Sequence, residues 1–202
     1  MRSTHSQTAL TAWLVTAASA AAATLFPWRW SLDRSLVEQG EWWRLITGHF
    51  VHLSWQHYLY DLTALGVTLA LCTAIGLRSA TIAKTALLSA GTVSATLLLS
   101  HPVDIYGGVS GITAGLLSLG TLGIINKGAW FSGATLSVCL LLKILLELHG
   151  IAVSAIAPVW QAHAAGAATG IMIAASSLKQ PTKPVSSGYG STTGSIDSIS
   201  TR

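Results

Sequence analysis

The chain has 202 residues, of which 51% are hydrophobic and only 9% are charged, and its mean hydropathy is +0.58. Soluble domains carry roughly 25% charged residues, so this composition excludes an ordinary soluble enzyme and indicates a protein that crosses the membrane several times. The net charge of +4 comes from few residues, which gives no basis for binding nucleic acid.

Six apolar segments in chain order predict an all-α membrane protein built as a bundle of six transmembrane helices over residues 1–178. The first segment, residues 8–26, is mostly alanine and long enough to span a bilayer. Arg2 and the alanine-rich end of this segment also resemble a signal peptide with a cleavage site, although we expect a retained helix. Ser54 is the expected N-cap of the second helix. The other predicted helices cover residues 54–75, 80–99, 108–125, 129–148 and 158–178.

Two segments are expected to lie outside the membrane core. Residues 27–53 interleave tryptophan with arginine, which is typical of the bilayer interface, and they predict an interfacial outer loop. Residues 179–202 are rich in Ser, Thr, Gly and Pro and predict a disordered cytoplasmic tail.

Lysine and arginine set the expected orientation. With the N-terminus in the cytoplasm, most basic residues fall on the cytoplasmic side, namely Arg2, Arg78, Lys84, Lys127, Lys179, Lys183 and Arg202. Only three arginines, all in the outer loop, fall outside. This is the positive-inside bias, and it predicts that both termini are cytoplasmic.

The same orientation places unusual polar residues of helices two, four and six at one depth in the outer leaflet. Ser110 begins a stretch without charge that ends at Ile125, and this stretch spans about 24 Å, less than the ~30 Å hydrocarbon core. Ser110 would therefore be recessed below the surface. His57, Asp61 and His163 lie in early turns of the other two helices. Polar and ionisable groups at this depth are costly, so they predict a functional site.

Glycine spacing suggests how the fourth and sixth helices meet. Gly111 and Gly115 follow Ser110 directly, and Gly166 and Gly170 follow His163 in the same register. Such GxxxG pairs let two helix backbones approach closely. If these faces meet, the imidazole can take the serine proton, which a serine nucleophile requires near neutral pH.

Other interpretations of these residues remain open. The serine alone could pack between helices, and His49, His52 and His57 could be metal ligands. No Cys or Glu completes that set, so we expect neither metal nor cofactor. Lys143 and Glu147 lie four residues apart on helix five and are expected to pair with each other or to let the lysine reach the interface, without a catalytic role. The two cysteines, Cys72 and Cys139, are expected to serve packing.

These residues together resemble the rhomboid family of intramembrane serine proteases. The resemblance covers residues 41–170. The small size of the chain and the stretch Trp-Trp-Arg-Leu-Ile-Thr-Gly-His-Phe-Val-His look like the rhombosortase branch of the family. The matching motifs are Trp43-Arg44, His-x-x-His-x-x-x-x-His at residues 49–57, Gly-Val-Ser-Gly at 108–111, and Ala-His-Ala-Ala-Gly at 162–166.

The resemblance implies a role for each site residue. Ser110 would be the nucleophile and His163 the general base and acid, a dyad without a carboxylate. The backbone N–H of Ser110 and the side chain of His57 would line the oxyanion hole, and His52 would support the outer loop. Asp61 stands where the family usually has asparagine. It would either donate when protonated or, as we prefer, accept a hydrogen bond from His57 and orient it.

A second departure from the family pattern is Ala114, where many members carry a tyrosine that packs on the histidine. The implied activity is cleavage of membrane-anchored proteins near the outer face, and for the rhombosortase branch the substrates carry a C-terminal Gly-Gly, a hydrophobic helix and a basic tail. The implied location is the bacterial inner membrane, with the site open to the periplasm and with transmembrane proteins and lipid as partners. The alternatives are an inactive family member that binds membrane clients and, more distantly, a transporter.

Overall fold

The computed structural model describes residues 2–100, 103–151 and 159–177, and over these residues the chain is helical apart from loops and two strands of two residues each. In chain order the elements are α1 (Arg2–Thr24), α2 (Pro27–Trp30), β1 (Leu32–Asp33), α3 (Arg34–Glu38), α4 (Arg44–Thr47), α5 (Trp55–Ala74), α6 (Ser79–Ser100), β2 (Ile105–Tyr106), α7 (Ser110–Asn126), α8 (Trp130–Leu148) and α9 (Trp160–Ser177). The predicted tail, residues 179–202, lies outside the described part.

The predicted all-α class is confirmed, while the number of membrane spans stays a prediction. Six helices, α1 and α5 to α9, have 17 to 23 residues each. Among the described helices, α6 and α8 are long and apolar enough to span a membrane, and α7 is a shorter apolar helix. His57 and Asp61 lower the hydropathy of α5, and small and polar residues lower that of α9.

Helix α7 lies at the centre of the bundle, packed against α5, α6, α8 and α9, with most of its residues buried. Its closest neighbour is α9. A Cβ atom added at Gly166 would lie 1.8 Å from the carbonyl oxygen of Gly111, and one at Gly170 would lie 2.0 Å from that of Gly115. Only glycine permits such an approach, so the predicted meeting of the two GxxxG faces is confirmed.

Helix α1 packs against α5 through polar contacts of two aromatic residues. The indole N–H of Trp13 donates to the carbonyl of Leu62 at 2.8 Å, and the Tyr58 hydroxyl donates to the carbonyl of Ala17 at 3.1 Å. A Cβ at Gly66 would lie 2.9 Å from the Trp13 ring nitrogen, so this glycine makes room for the indole. The first helix is thus packed as part of the bundle.

The outer loop is folded rather than extended along the surface. Strands β1 and β2 pair antiparallel, with Leu32 opposite Tyr106, which ties the loop to the segment that leads into α7. The guanidinium of Arg34 donates to the carbonyls of Leu97 and Leu98 at 2.8 and 2.9 Å, near the end of α6. These carbonyls have no partner inside their own helix, so Arg34 satisfies them.

A second arginine holds the loop from within. Arg44 is only 5% exposed, and its guanidinium bonds the Glu41 carboxylate at 2.6 Å and the Ser31 carbonyl at 2.8 Å. In contrast, Trp28 and Trp42 are exposed, as the interfacial prediction requires of amphipathic rings. The loop therefore holds the Arg44 charge among bonded partners inside and has exposed tryptophans on its surface.

His49 fastens the end of this loop to α6. Its Nε2 atom lies 2.9 Å from the Ser94 hydroxyl and 3.1 Å from the Ala90 carbonyl. The Ser94 hydroxyl donates its own proton to the carbonyl of Leu45 at 2.7 Å, so His49 must carry its proton on Nε2. Burial lowers the pKa of His49 to about 4, which keeps the ring neutral.

Candidate active site

Ser110 is the first residue of α7, and two glycines before it shape the approach to the helix. Gly108 has a φ of +141°, a conformation that glycine favours, and its N–H donates to the carbonyl of Gly48 at 3.0 Å. A Cβ at Gly107 would lie 2.9 Å from the carbonyl oxygen of Val51. The outer loop thus contacts both glycines of the turn, and these contacts fix the position of the half-buried Ser110 at the start of α7.

His163 lies in the first turn of α9 and is 8% exposed. The residues next to the serine and the histidine touch, since a Cβ at Gly111 would lie 3.0 Å from the carbonyl oxygen of Ala162. The glycine contacts between α7 and α9 therefore bring Ser110 and His163 to the wall of one cavity.

This cavity has a volume of about 550 Å³ and lies between α5 on one side and α8 and α9 on the other. Apolar side chains form most of its surface, including Ala64, Leu117 and Leu140. Its polar lining residues are Ser110, His163, His57, Asp61, Tyr106, Lys143, Glu147, Tyr60 and Thr113. An apolar cavity with a few convergent polar groups is the usual form of an active site.

Asp61 lies between two histidines on the α5 side of the cavity. Its Oδ2 atom is 3.3 Å from Nε2 of His52 and 3.3 Å from Nε2 of His57. Both contacts are close approaches without the angles of a hydrogen bond, so Asp61 Oδ2 has no hydrogen-bond partner among the described residues. The turn before Ser110 touches this group, because a Cβ at Gly108 would lie 3.0 Å from Asp61 Oδ2 and 3.1 Å from His57 Nε2. Four of the five predicted site residues, with His52 buried behind them, thus line or touch one cavity.

Tyr106 is a polar wall residue that the sequence motifs do not include. Its hydroxyl donates to the carbonyl of Gly108 at 3.0 Å and lies near the hydroxyl of Ser110. Burial raises the pKa of Tyr106, and the Asp61 carboxylate raises it further, so the phenol stays protonated. Its position directly before the Gly-Gly turn is the sequence signal for it.

Glu147 and Lys143 of α8 are absent from the predicted site residues, yet both side chains reach His163. The Glu147 Oε2 atom lies 2.5 Å from Nδ1 of His163, and Lys143 bonds the other carboxylate oxygen. Lys143 also lies 3.2 Å from Nδ1 of His163. The predicted pairing of the two α8 residues is confirmed, but the Glu147 carboxylate also bonds His163 through its other oxygen. A lone acid in an apolar helix is the signal that marks Glu147.

Metal-ligand geometry does not occur among the residues that the structure describes. No group of three or more His, Cys, Asp or Glu side chains there converges as metal ligands would. The three histidines of residues 49–57 do not converge on one point, because His49 contacts α6 while His52 and His57 lie beside Asp61.

Comparison with known protein families places this geometry in context. The family model of the Rhomboid domain matches residues 39–180, which is more than two thirds of the chain. A comparison with curated proteins finds no significant match. The matched segment contains Ser110, His163 and every other polar group of the cavity. The chain belongs to the rhomboid family, whose members are integral membrane proteins and generally intramembrane serine proteases.

Proposed function

We propose that this protein is an intramembrane serine endopeptidase that uses Ser110 as nucleophile and His163 as general base and acid. The observation that carries the proposal is the close glycine packing of α7 on α9, which brings the two side chains to the same cavity. Family members act on transmembrane substrates within the membrane, which fits a cavity recessed among helices.

In the proposed reaction His163 takes the proton of the Ser110 hydroxyl while the Ser110 oxygen bonds the carbonyl carbon of the scissile peptide. The protonated imidazole then gives that proton to the departing amine, and the peptide bond breaks. Water enters the cavity, and its oxygen bonds the acyl carbon while His163 takes one of its protons. His163 then gives that proton to the Ser110 oxygen as the ester bond breaks, which frees the carboxylic acid and restores the serine. Each step uses the same histidine, so its position relative to the serine decides the rate.

The developing oxyanion is stabilised on the α5 side. Ser110 is the first residue of α7, so its N–H has no partner inside the helix and lies at the positive end of the helix dipole. We take the His57 side chain as a second donor. Asp61 Oδ2 lies 3.3 Å from His57 Nε2 without the angles of a hydrogen bond, so Asp61 orients this histidine by its position and charge. His52 flanks Asp61 from the loop side, with its Nε2 atom 3.3 Å from Asp61 Oδ2.

The substrates are membrane-anchored proteins cut near the outer face. The resemblance to rhombosortases favours proteins released from a C-terminal anchor with Gly-Gly, a hydrophobic helix and a basic tail. With both termini in the cytoplasm of a bacterium, as the lysine and arginine distribution favours, the cavity opens to the periplasmic side of the inner membrane.

The proposal is tested by release of a Gly-Gly-anchored reporter in cells that express wild type, Ser110→Ala or His163→Ala. Both variants should abolish release at unchanged protein levels. Release that persists with Ser110→Ala overturns the nucleophile assignment.

Labelling with a fluorophosphonate separates an enzyme from an inactive relative that only binds clients. Asp61 at the usual asparagine position is the observation that favours the second candidate. Labelling of wild type that is lost in Ser110→Ala supports the enzyme, whereas an unlabelled and folded wild type supports the binder.

A further inference from the structure

We propose that Glu147 is a positioning residue for His163, so that the site is a Ser-His-Glu triad rather than a dyad. This inference rests on the proposed serine protease function. It starts from the 2.5 Å contact between Glu147 Oε2 and His163 Nδ1.

The contact fixes which ring nitrogen carries the proton. A carboxylate only accepts hydrogen bonds, so the proton of a neutral His163 must be on Nδ1. Nε2 is then left without a proton and is free to accept one from Ser110. Without the carboxylate, the two tautomers of the ring compete, and the one with a proton on Nε2 cannot act as the base.

Burial of Glu147 is difficult to explain by folding alone. Helix α8 exposes most of its surface, and within it only Gly133 and Glu147 are buried. Replacing a buried charged group by an apolar residue of similar volume is often neutral or stabilising. A leucine at this position would fit the rest of the helix, so the carboxylate is better explained by its effect on His163.

Lys143 completes the arrangement from one turn earlier on α8. Its ammonium bonds the second carboxylate oxygen of Glu147, and its side chain, which is 43% exposed, lines the cavity. Lys143 Nζ and His163 Nδ1 are 3.2 Å apart, and because both carry protons they share the carboxylate instead of bonding each other. The lysine thus compensates the charge of Glu147 and holds its second oxygen, so that the first can face the ring.

The test measures how fast a fluorophosphonate labels Ser110, because this readout needs no natural substrate. The Ser110 oxygen attacks phosphorus, His163 takes the serine proton, and fluoride leaves. The maximal labelling rate reports activation of the serine, and the reagent concentration at half-maximal rate reports binding. The variants are Glu147→Gln, Glu147→Asp and, as a matched control with the same chemical change at an exposed carboxylate, Glu38→Gln.

We expect Glu147→Gln to lower the maximal rate at least about 100-fold, a conservative bound beside the roughly 10⁴-fold cost of losing the carboxylate of a Ser-His-Asp triad. The half-saturating concentration and the thermal midpoint should change little. Glu147→Asp keeps a carboxylate near Nδ1 and should recover at least about tenfold over the glutamine variant. Glu38→Gln should behave as wild type.

Two results overturn the inference. One is a maximal rate in Glu147→Gln within about threefold of wild type. The other is a loss in both Glu147 variants that matches their loss of folded protein, since that marks a purely structural role. Failure of the proposed function looks different, because labelling would then be absent in wild type or would persist in Ser110→Ala.

Discussion

The α7–α9 glycine contact makes the strongest test of how the fold supports the proposed site. In Gly166→Ala the new methyl would begin 1.8 Å from the carbonyl oxygen of Gly111. Ordinary contact needs roughly 3.4 Å, so the two backbones must separate by about 1.6 Å. Such overpacking costs about 1–3 kcal/mol. His163 lies one turn before Gly166 and moves with α9, and a misplacement of about 1 Å can cost on the order of 100-fold in rate.

The matched control is Gly91→Ala, because Gly91 is also a helical glycine and a Cβ there meets nothing within 4 Å. Removing a glycine from an open helical site should leave stability unchanged or raise it slightly. The assay combines fluorophosphonate labelling of Ser110 with the thermal midpoint of each purified variant. We expect Gly166→Ala to lose about 100-fold in labelling rate while Gly91→Ala keeps the wild-type rate. Equal rates and equal midpoints in the two variants would refute the idea that this contact positions the dyad.

Two further predictions concern the outer loop. Arg44→Ala should cost about 2–4 kcal/mol, because it leaves a carboxylate and buried carbonyls without their partner, while Arg29→Ala at an exposed position should change the thermal midpoint little. The pKa of His49, lowered to about 4 by burial, predicts stability that is complete above pH 6.5 and is lost as pH falls from 6.5 toward 4, since the unfolded state binds the proton first. Between pH 7 and pH 5 wild type should lose about 2 kcal/mol more than His49→Gln, and an equal pH dependence in both proteins would contradict this reasoning.

The helices and the meeting of two of them could be predicted from the sequence because the signals are local. The side chain of Ser54 accepts from the N–H of His57 at 3.1 Å, which confirms the predicted N-cap of α5. The contact of α7 with α9 follows from glycines four residues apart, and the structure confirms it at Gly111 and Gly166. Both features depend on residues within one turn of each other.

The folding of the outer loop could not be predicted in the same way. Strand β1 pairs with β2 over a separation of more than 70 residues, and each strand has only two residues, too few to show an alternating pattern. Arg34 likewise bonds carbonyls at the end of α6, more than 60 residues away. Tryptophan and arginine predict an interface, but they do not reveal which carbonyls the arginines will meet.

Glu147 shows a different limit. Its spacing from Lys143 is satisfied within α8, so the sequence offers a complete local explanation for the pair. Whether the pair faces a neighbour depends on the rotation of α8 about its axis. The sequence of α8 does distinguish a more polar face, but hydrophobic patterning does not tell which neighbouring side chain that face meets. A carboxylate in an apolar helix is costly, and this cost is the sequence signal that Glu147 meets a polar partner on a neighbouring helix.

The two carboxylates of the cavity suggest how one site serves both halves of the proposed reaction. Glu147 lies against His163 on the α8 side, where protons move, and Asp61 lies against His57 on the α5 side, where the oxyanion forms. Each carboxylate has a second partner, Lys143 for the first and His52 for the second. A buried carboxylate without such a partner would repel the oxyanion, whereas a paired one orients an imidazole at a smaller cost in repulsion. On this interpretation Asp61 can stand in place of the usual asparagine because it acts through His57 and does not itself contact the oxyanion.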